Sequence, residues 1–178
     1  MKKLVIILVS IIITVVIAVL AFVYYTKSHS PFEKVKYGDD LKVEYCRPSK
    51  KGRVIFGELV PYGKVWRTGA NEATVFTTKK DILFGGKDLK SGRYSLWTIP
   101  EENKWTVIIN SQTDLWGVNM DNVANMDPKY EVLRIETDVI RPEMEFEIFT
   151  ITLDSVKGGV EMVLVWDRTM ISIPIEIK

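Results

Sequence analysis

The chain has 178 residues, enough for one ordinary domain or a domain with an appendage, and 47% of them are hydrophobic. Aromatic residues at 11%, with ordinary numbers of Gly and Pro, exclude a disordered chain and a collagen-like or repeat architecture. The formal net charge is +1, and with Lys2, Lys3 and Lys27 set aside, 21 basic residues face 23 acidic ones, a net charge of −2. A dedicated nucleic-acid binder, which needs a strongly basic face or tail, is excluded.

The apolar residues are spread unevenly. From Leu4 to Tyr25 there is no charge, and only Ser10 and Thr14 interrupt the run. As a helix this segment is roughly 33 Å long, enough to cross a hydrocarbon core of about 30 Å. The run is β-branched, yet a lone strand in lipid leaves its backbone groups unsatisfied, so a helix is the viable form. Tyr24 and Tyr25 suit the far interface. Met1-Lys2-Lys3 followed by an apolar run also describes a secretory signal, with Val19-Leu20-Ala21 as a passable cleavage site, but the run is longer than an ordinary signal core and favours an uncleaved signal anchor. Cys46 lies well past the run, which excludes a simple lipoprotein. The expected organisation is a signal anchor or transmembrane helix over 1–25, a short linker over 26–33 and one domain over 34–178. Lys2 and Lys3 belong in the cytoplasm and the domain on the other side, periplasmic or extracytoplasmic, with the bilayer itself as a partner through Leu4–Tyr25.

After the linker the period changes to two. Alternation over 41–45, 105–109, 132–136, 146–153, 160–166 and 171–177 predicts strands, and Gly-, Asp- or Asn-bearing turns such as 38–40, 85–88, 101–103 and 157–159 separate them. Roughly eight to ten short strands with hardly any helical period predict an all-β fold, an antiparallel β-sandwich of jelly-roll or immunoglobulin-like type. Pro174 cannot donate to a ladder, so the last strand is expected at an edge or to begin anew after it. Ser111 to Lys129 is polar and rich in Asn and Asp; it reads as a long loop with a helical turn near Asn122–Met126.

The outer domain resembles an uncharacterised family of bacterial envelope proteins, a domain-of-unknown-function family of about this size. The matching residues include Arg47-Pro48, Lys51-Gly52-Arg53, Leu59-Val60-Pro61-Tyr62-Gly63, the string Trp66-Arg67-Thr68-Gly69-Ala70-Asn71-Glu72-Ala73-Thr74, and Gly92-Arg93-Tyr94-Ser95-Leu96. Two departures stand out. Cys46 takes a position where the family pattern looks more like serine, and the loop between Trp116 and Tyr130 is longer. The resemblance implies an envelope domain and no particular activity.

The residues themselves restrict the chemistry. The sole histidine, His29, sits beside the apolar run, which removes Ser-His-Asp and Cys-His triads and histidine-based zinc sites from the domain. Gly57 to Lys64 has the wrong spacing for a phosphate loop, and Val65 stands where Ser or Thr would hold magnesium. No cofactor and no metal are expected. Arg67, Thr68, Asn71 and Glu72 are the strongest polar group. Arg67 can hold a carboxylate or phosphate, Asn71 can add amide hydrogen bonds, and Glu72 is the candidate general base. The competing reading pairs Arg67 with Glu72 and uses Asn71 as a turn cap. Arg47 and Arg53 add positive charge to the candidate ligand site. Trp116, in the polar loop, is the tryptophan expected to be exposed and to join the ligand site as a sugar-stacking ring, whereas Trp97, Trp105 and Trp166 are expected in the core. Glu58 and Asp114 are candidates for a second carboxylate. The leading expectation is a membrane-anchored binding or assembly module for an envelope protein or glycan. The rival is a glycan- or peptide-directed hydrolase using Glu72 with Arg67 and Asn71.

Overall fold

The computed structural model describes residues 2–178, the side chains of Leu4, Thr26 and Lys27 excepted. Met1, at the head of the basic start, lies outside the described residues. Helix α1 runs Lys2–His29, and its Val5–Tyr25 portion, with mean hydropathy 3.4, is long and apolar enough to cross a membrane, a property that membrane anchors share with signal sequences. The Ser10 and Thr14 hydroxyls are satisfied within the helix: Ser10 Oγ donates to the Ile6 carbonyl and Thr14 Oγ1 to the Ser10 carbonyl, each at 2.9 Å. The helix ends at His29 and Phe32 opens the first strand, so Ser30 and Pro31 alone separate them. The linker expected over 26–33 is thus taken up by helix on one side and strand on the other.

Eleven strands follow: β1 Phe32–Tyr37, β2 Leu41–Cys46, β3 Thr74–Thr78, β4 Ile82–Phe84, β5 Lys87–Leu89, β6 Gly92–Pro100, β7 Lys104–Asn110, β8 Glu131–Asp138, β9 Phe146–Val156, β10 Gly159–Asp167 and β11 Thr169–Ile177. They form two antiparallel sheets in the orders β1-β2-β3-β6-β7-β8 and β5-β4-β11-β10-β9. The expected β-sandwich behind one apolar helix is therefore the observed fold. Inward residues such as Val43, Phe76 and Val107 from one sheet and Ile151, Met162 and Ile173 from the other fill the space between. At one end Trp66, Trp105, Phe149 and Trp166 pack ring against ring, with Trp66 stacked on Trp166 at 6.1 Å between centroids.

Two local expectations are corrected. β11 is an interior strand between β4 and β10 and runs straight through Pro174. In an antiparallel ladder a residue's N–H and C=O face the same neighbour. The Pro174 carbonyl accepts from Gly85 N–H at 2.8 Å, so its missing N–H faces the point where β4 has ended and turned away at Gly85-Gly86. The ladder loses nothing there. In the long loop the helical turn is a 3₁₀ turn at Pro128–Tyr130, capped by Asp127, instead of one near Asn122–Met126. Pro128 presets the backbone for that turn, whereas Asn122 adopts φ +59° and cannot continue a right-handed helix.

The sheets also approach along the β1–β9 side, where no ladder joins them. Here the Tyr45 hydroxyl accepts the Ile151 N–H at 2.8 Å, and Arg47 reaches the Phe149 carbonyl and Thr150 Oγ1. Side chains extend the pairing of this edge strand, whose Phe149 N–H donates to the Pro48 carbonyl and whose Glu147 carbonyl accepts from the Lys50 N–H. Tyr45→Phe leaves the buried Ile151 N–H without its acceptor and is expected to cost about 1–3 kcal/mol. Denaturant unfolding of the full chain in detergent measures it; an unchanged midpoint contradicts the assignment.

Candidate functional site: a two-loop cover on the six-stranded sheet

Outward residues of a sheet that faces solvent are ordinarily polar, yet on the six-stranded sheet Trp97 and Ile108 point away from the main core and are fully buried. With Ala73 they form a second apolar cluster, against which Val65, Leu115 and Met126 pack. Two long loops, 47–73 and 111–127, supply that cover.

The first loop is pinned at Trp66. Its backbone exchanges hydrogen bonds with Thr98 (2.7 and 3.0 Å) while its indole turns inward and donates to the Gly69 carbonyl at 3.1 Å. The next side chain, Arg67, therefore faces outward. Thr68 is buried with φ +55°, its hydroxyl on Thr98 Oγ1 at 3.1 Å, and its carbonyl accepts from Thr74 Oγ1 at 2.6 Å. A β-branched residue at positive φ costs on the order of 1–3 kcal/mol and persists only where its surroundings hold it. Gly69, at φ +155°, lies so close to β2 that a Cβ would stand 2.9 Å from the Cys46 carbonyl oxygen. Asn71 follows at φ +58°.

The second loop locks onto this one. Ala73 N–H donates to the Leu115 carbonyl and Gly117 N–H to the Asn71 carbonyl, each at 3.0 Å, and Glu72 pairs with Trp116 across the same short bridge. A second bridge, Val118 with Ala124, closes the loop, and Asn119 Oδ1 takes the Asp121 and Val123 N–H groups at its tip.

Where the loops meet β1, β2, β3 and β6 they leave a cleft of about 330 Å³ lined by Phe32, Glu44, Cys46, Glu72, Arg93 and Asp114, with Val75 in its floor. The Cys46 thiol points at Glu72 Oε2 across 3.4 Å. Asp114 receives Arg93 Nη1 at 2.5 Å, and Glu44 sits between Lys34 (3.1 Å) and Lys42 (2.8 Å). Burial works against the charged form of Glu44, but the two ammonium groups outweigh it and its pKa is lowered. The Arg67 guanidinium is withdrawn from water, which pulls its pKa down, with a partial offset from Cys46.

Glu72 thus lies in the cleft, whereas Arg67 and Asn71 are outside its lining and sit against Gly117. No ion pair joins Arg67 to Glu72, and the Asn71 amide nitrogen is buried without an acceptor. Trp116 is 45% exposed at the cover's outer surface, and Trp97, Trp105 and Trp166 are buried. Asp114 shares the cleft with Glu72, whereas Glu58 is exposed on the turn at 57–59, outside the cleft lining. Arg47 and Arg53 stand apart from the cleft lining. Arg47 braces β9 and pairs with Glu33 at 3.3 Å, and Arg53 closes its own turn on the Ser49 and Lys50 carbonyls. Phe32, Glu44 and Arg93 were not singled out by the sequence. Glu44 carries a signal there, as an outward position of an alternating strand, while Arg93 opens a strand buried on both faces and Phe32 is masked by the apparent linker.

The family model described as a protein of unknown function, DUF2911, matches residues 30–175, from the end of α1 nearly to the last residue. The chain belongs to the DUF2911 family. No curated protein and no solved structure matches it. In this DUF2911 chain the matched span begins two residues before Phe32 and holds both loops and the whole cleft.

The Arg93 hydrogen bond, helped by the Thr113 hydroxyl, holds Asp114 below the ordinary aspartate value of 3.8. A carboxylate lowered on folding adds stability above its unfolded pKa and loses it as pH falls through its folded one. The group is largely exposed, so the effect is local to how firmly the loop is tied to β6. A carbon-detected titration is expected to place the Asp114 midpoint under 3.8 and to bring it back towards that value in Arg93→Ala; coincident midpoints contradict the bridge.

Proposed function

We propose that this DUF2911 chain is a membrane-anchored envelope module whose sandwich, on the far side of the bilayer from Lys2 and Lys3, binds a glycan or protein ligand in the cleft at Glu72. The observation that carries the reading is the continuity between anchor and cleft. Phe32, on the cleft wall, follows α1 after two residues, which keeps it within roughly 11 Å of the helix end. A site on so short a tether works close to the membrane surface. The mixed lining suits a ligand of that kind: an exposed aromatic ring, an aliphatic floor, and carboxylates and a guanidinium able to hydrogen-bond hydroxyl or amide groups.

A second reading is favoured by one contact. The Cys46 thiol meets the Glu72 carboxylate at 3.4 Å, an acid beside a nucleophile, and Asp114 supplies another carboxylate in the same cleft. A hydrolase using Glu72 with Arg67 and Asn71 fits those residues.

Melting the full chain in detergent with soluble glycan fragments and with peptides tests both. A true ligand is expected to raise the wild-type Tm by roughly 3 °C or more and to leave Val75→Trp, whose indole fills the floor, unmoved. Equal shifts in both proteins, or none with either class, contradict the binding reading. Ligand consumption by wild type but not by Glu72→Gln, with binding kept, establishes the enzyme.

A further inference from the structure

The chain has seven arginines. Six end on a carboxylate, hydroxyl or backbone carbonyl. Arg67 is the exception: its guanidinium makes neither hydrogen bond nor ion pair among the described residues, although it is one of the more deeply withdrawn of the seven, and its Nε is buried outright. Four residues on, the Asn71 Nδ2 is buried without an acceptor too. Buried donors are almost always paired, and a pair of orphans flanking one glycine needs a physical reason.

Their positions are imposed by the fold. Arg67 lies against Gly117 so closely that a Cβ there would stand 2.0 Å from its Cδ, and the Asn71 carbonyl holds the Gly117 N–H. The positive φ angles of Thr68, Gly69 and Asn71 set the path of the chain between the two side chains. Nor is a counter-charge left for Arg67 among the nearby acids. Glu44 is taken by Lys34 and Lys42, Asp114 by Arg93, and Glu72 turns to the Cys46 thiol. One fixed cation and two buried N–H donors lack the same thing, a negatively charged oxygen acceptor.

We propose that Arg67 and Asn71, backed by Gly117 and outside the cleft lining itself, form a subsite for an oxyanion, the carboxylate or phosphate group of a ligand that reaches past Glu72 from the cleft. The assignment rests on the binding reading above and narrows it to an anionic ligand. Arg67 gives the charge and the Nε donor, Asn71 the second donor, and Gly117 the space in which the arginine stem lies.

The test uses wild-type full chain in detergent, its arginine Nε–H resonances followed while chloride is exchanged at constant ionic strength for inorganic phosphate or for acetate. The Arg67 resonance is expected to move and saturate with at least one anion, phosphate alone marking a phosphate group and acetate alone a carboxylate. Neighbouring arginines stay in place. The anion is also expected to raise Tm by roughly 3 °C, an effect lost in Arg67→Ala, weakened in Asn71→Ala and in Arg67→Lys, and kept in Lys64→Ala, an exposed control. A resonance unmoved by both anions, or one that drifts linearly with the other six, overturns the subsite, and neither outcome depends on a variant folding. If a neutral glycan or peptide discriminates wild type from Val75→Trp while Arg67 stays still, the subsite fails and the cleft reading stands. Saturation at Arg67 persisting in Val75→Trp supports the subsite even where no cleft ligand is found.

Discussion

A sheet with bulky apolar side chains on both faces has to be covered twice. In this chain the six-stranded sheet sends Trp105, Val107 and Ile109 towards its partner sheet and Trp97 and Ile108 the other way, all of them buried. Fully burying side chains of that size is worth about 1.5–3 kcal/mol each, so the outer face cannot be left to water. No third layer of strands or helices is present over it among the described residues. The two long loops do the work, and the polar groups they carry are set by how those loops must run to reach the second apolar cluster. The Trp97 indole, whose one N–H has to find an acceptor when buried, donates to Ser95 Oγ at 2.8 Å on its own strand and so leaves the loops free of that duty.

From that constraint the geometry of the cleft follows in steps. Trp66 must enter the main core, so Arg67 turns outward; Thr68, Gly69 and Asn71 must take positive φ to bring Ala73 back down onto Trp97. Leu115 lands beside Ala73 and aligns Trp116 and Gly117 with Glu72 and Asn71. Cys46, at the end of β2, is then buried under Glu72, and Arg93 on β6 meets Asp114 at the mouth. Backbone strain, a buried thiol, orphaned donors and a cleft thus gather at one place because one packing problem is solved there. Strain concentrated in this way is retained where the surrounding structure over-determines it.

Much of the fold was legible. The alternating runs at 41–45, 132–136, 146–153, 160–166 and 171–177 all lie in strands whose two faces differ in polarity. Alternation carried less in β6, where Tyr94 to Thr98 are buried on both faces, and the sequence offered there only its aromatic content. Phe32–Tyr37 was hidden by Pro31 and by the expectation of a linker, because a short half-exposed edge strand of Phe, Glu, Lys and Val differs little from a polar spacer. Pro174 misled for a topological reason: the rule against proline concerns the absent N–H, and β4 is too short to require it. Of the site, the segment from Trp66 to Thr74 stood out in the sequence through its density of polar groups beside Gly and Trp. Of its partners only Asp114 stood out, as a candidate second carboxylate; Glu44 and Arg93 did not, since the three come from distant stretches of chain that only the sheet order and loop docking bring together. The pairing of Arg67 with Glu72 was chemically reasonable, but the outward turn at Arg67 and the bridge of Glu72 to Trp116 send the two side chains to different partners.

The second apolar cluster, distinct from the main core, holds the site together. Native-state hydrogen exchange measures it most directly, comparing wild type with Leu115→Ala, which trims the loop's contact with that cluster. The Ala73 and Gly117 amides are expected to be well protected in wild type and to lose that protection together in the variant, while the amides of β10 and β11 keep theirs. Ala73 and Gly117 exchanging as freely as the loop tip in wild type, or a loss in the variant spread evenly through β10 and β11, would contradict it.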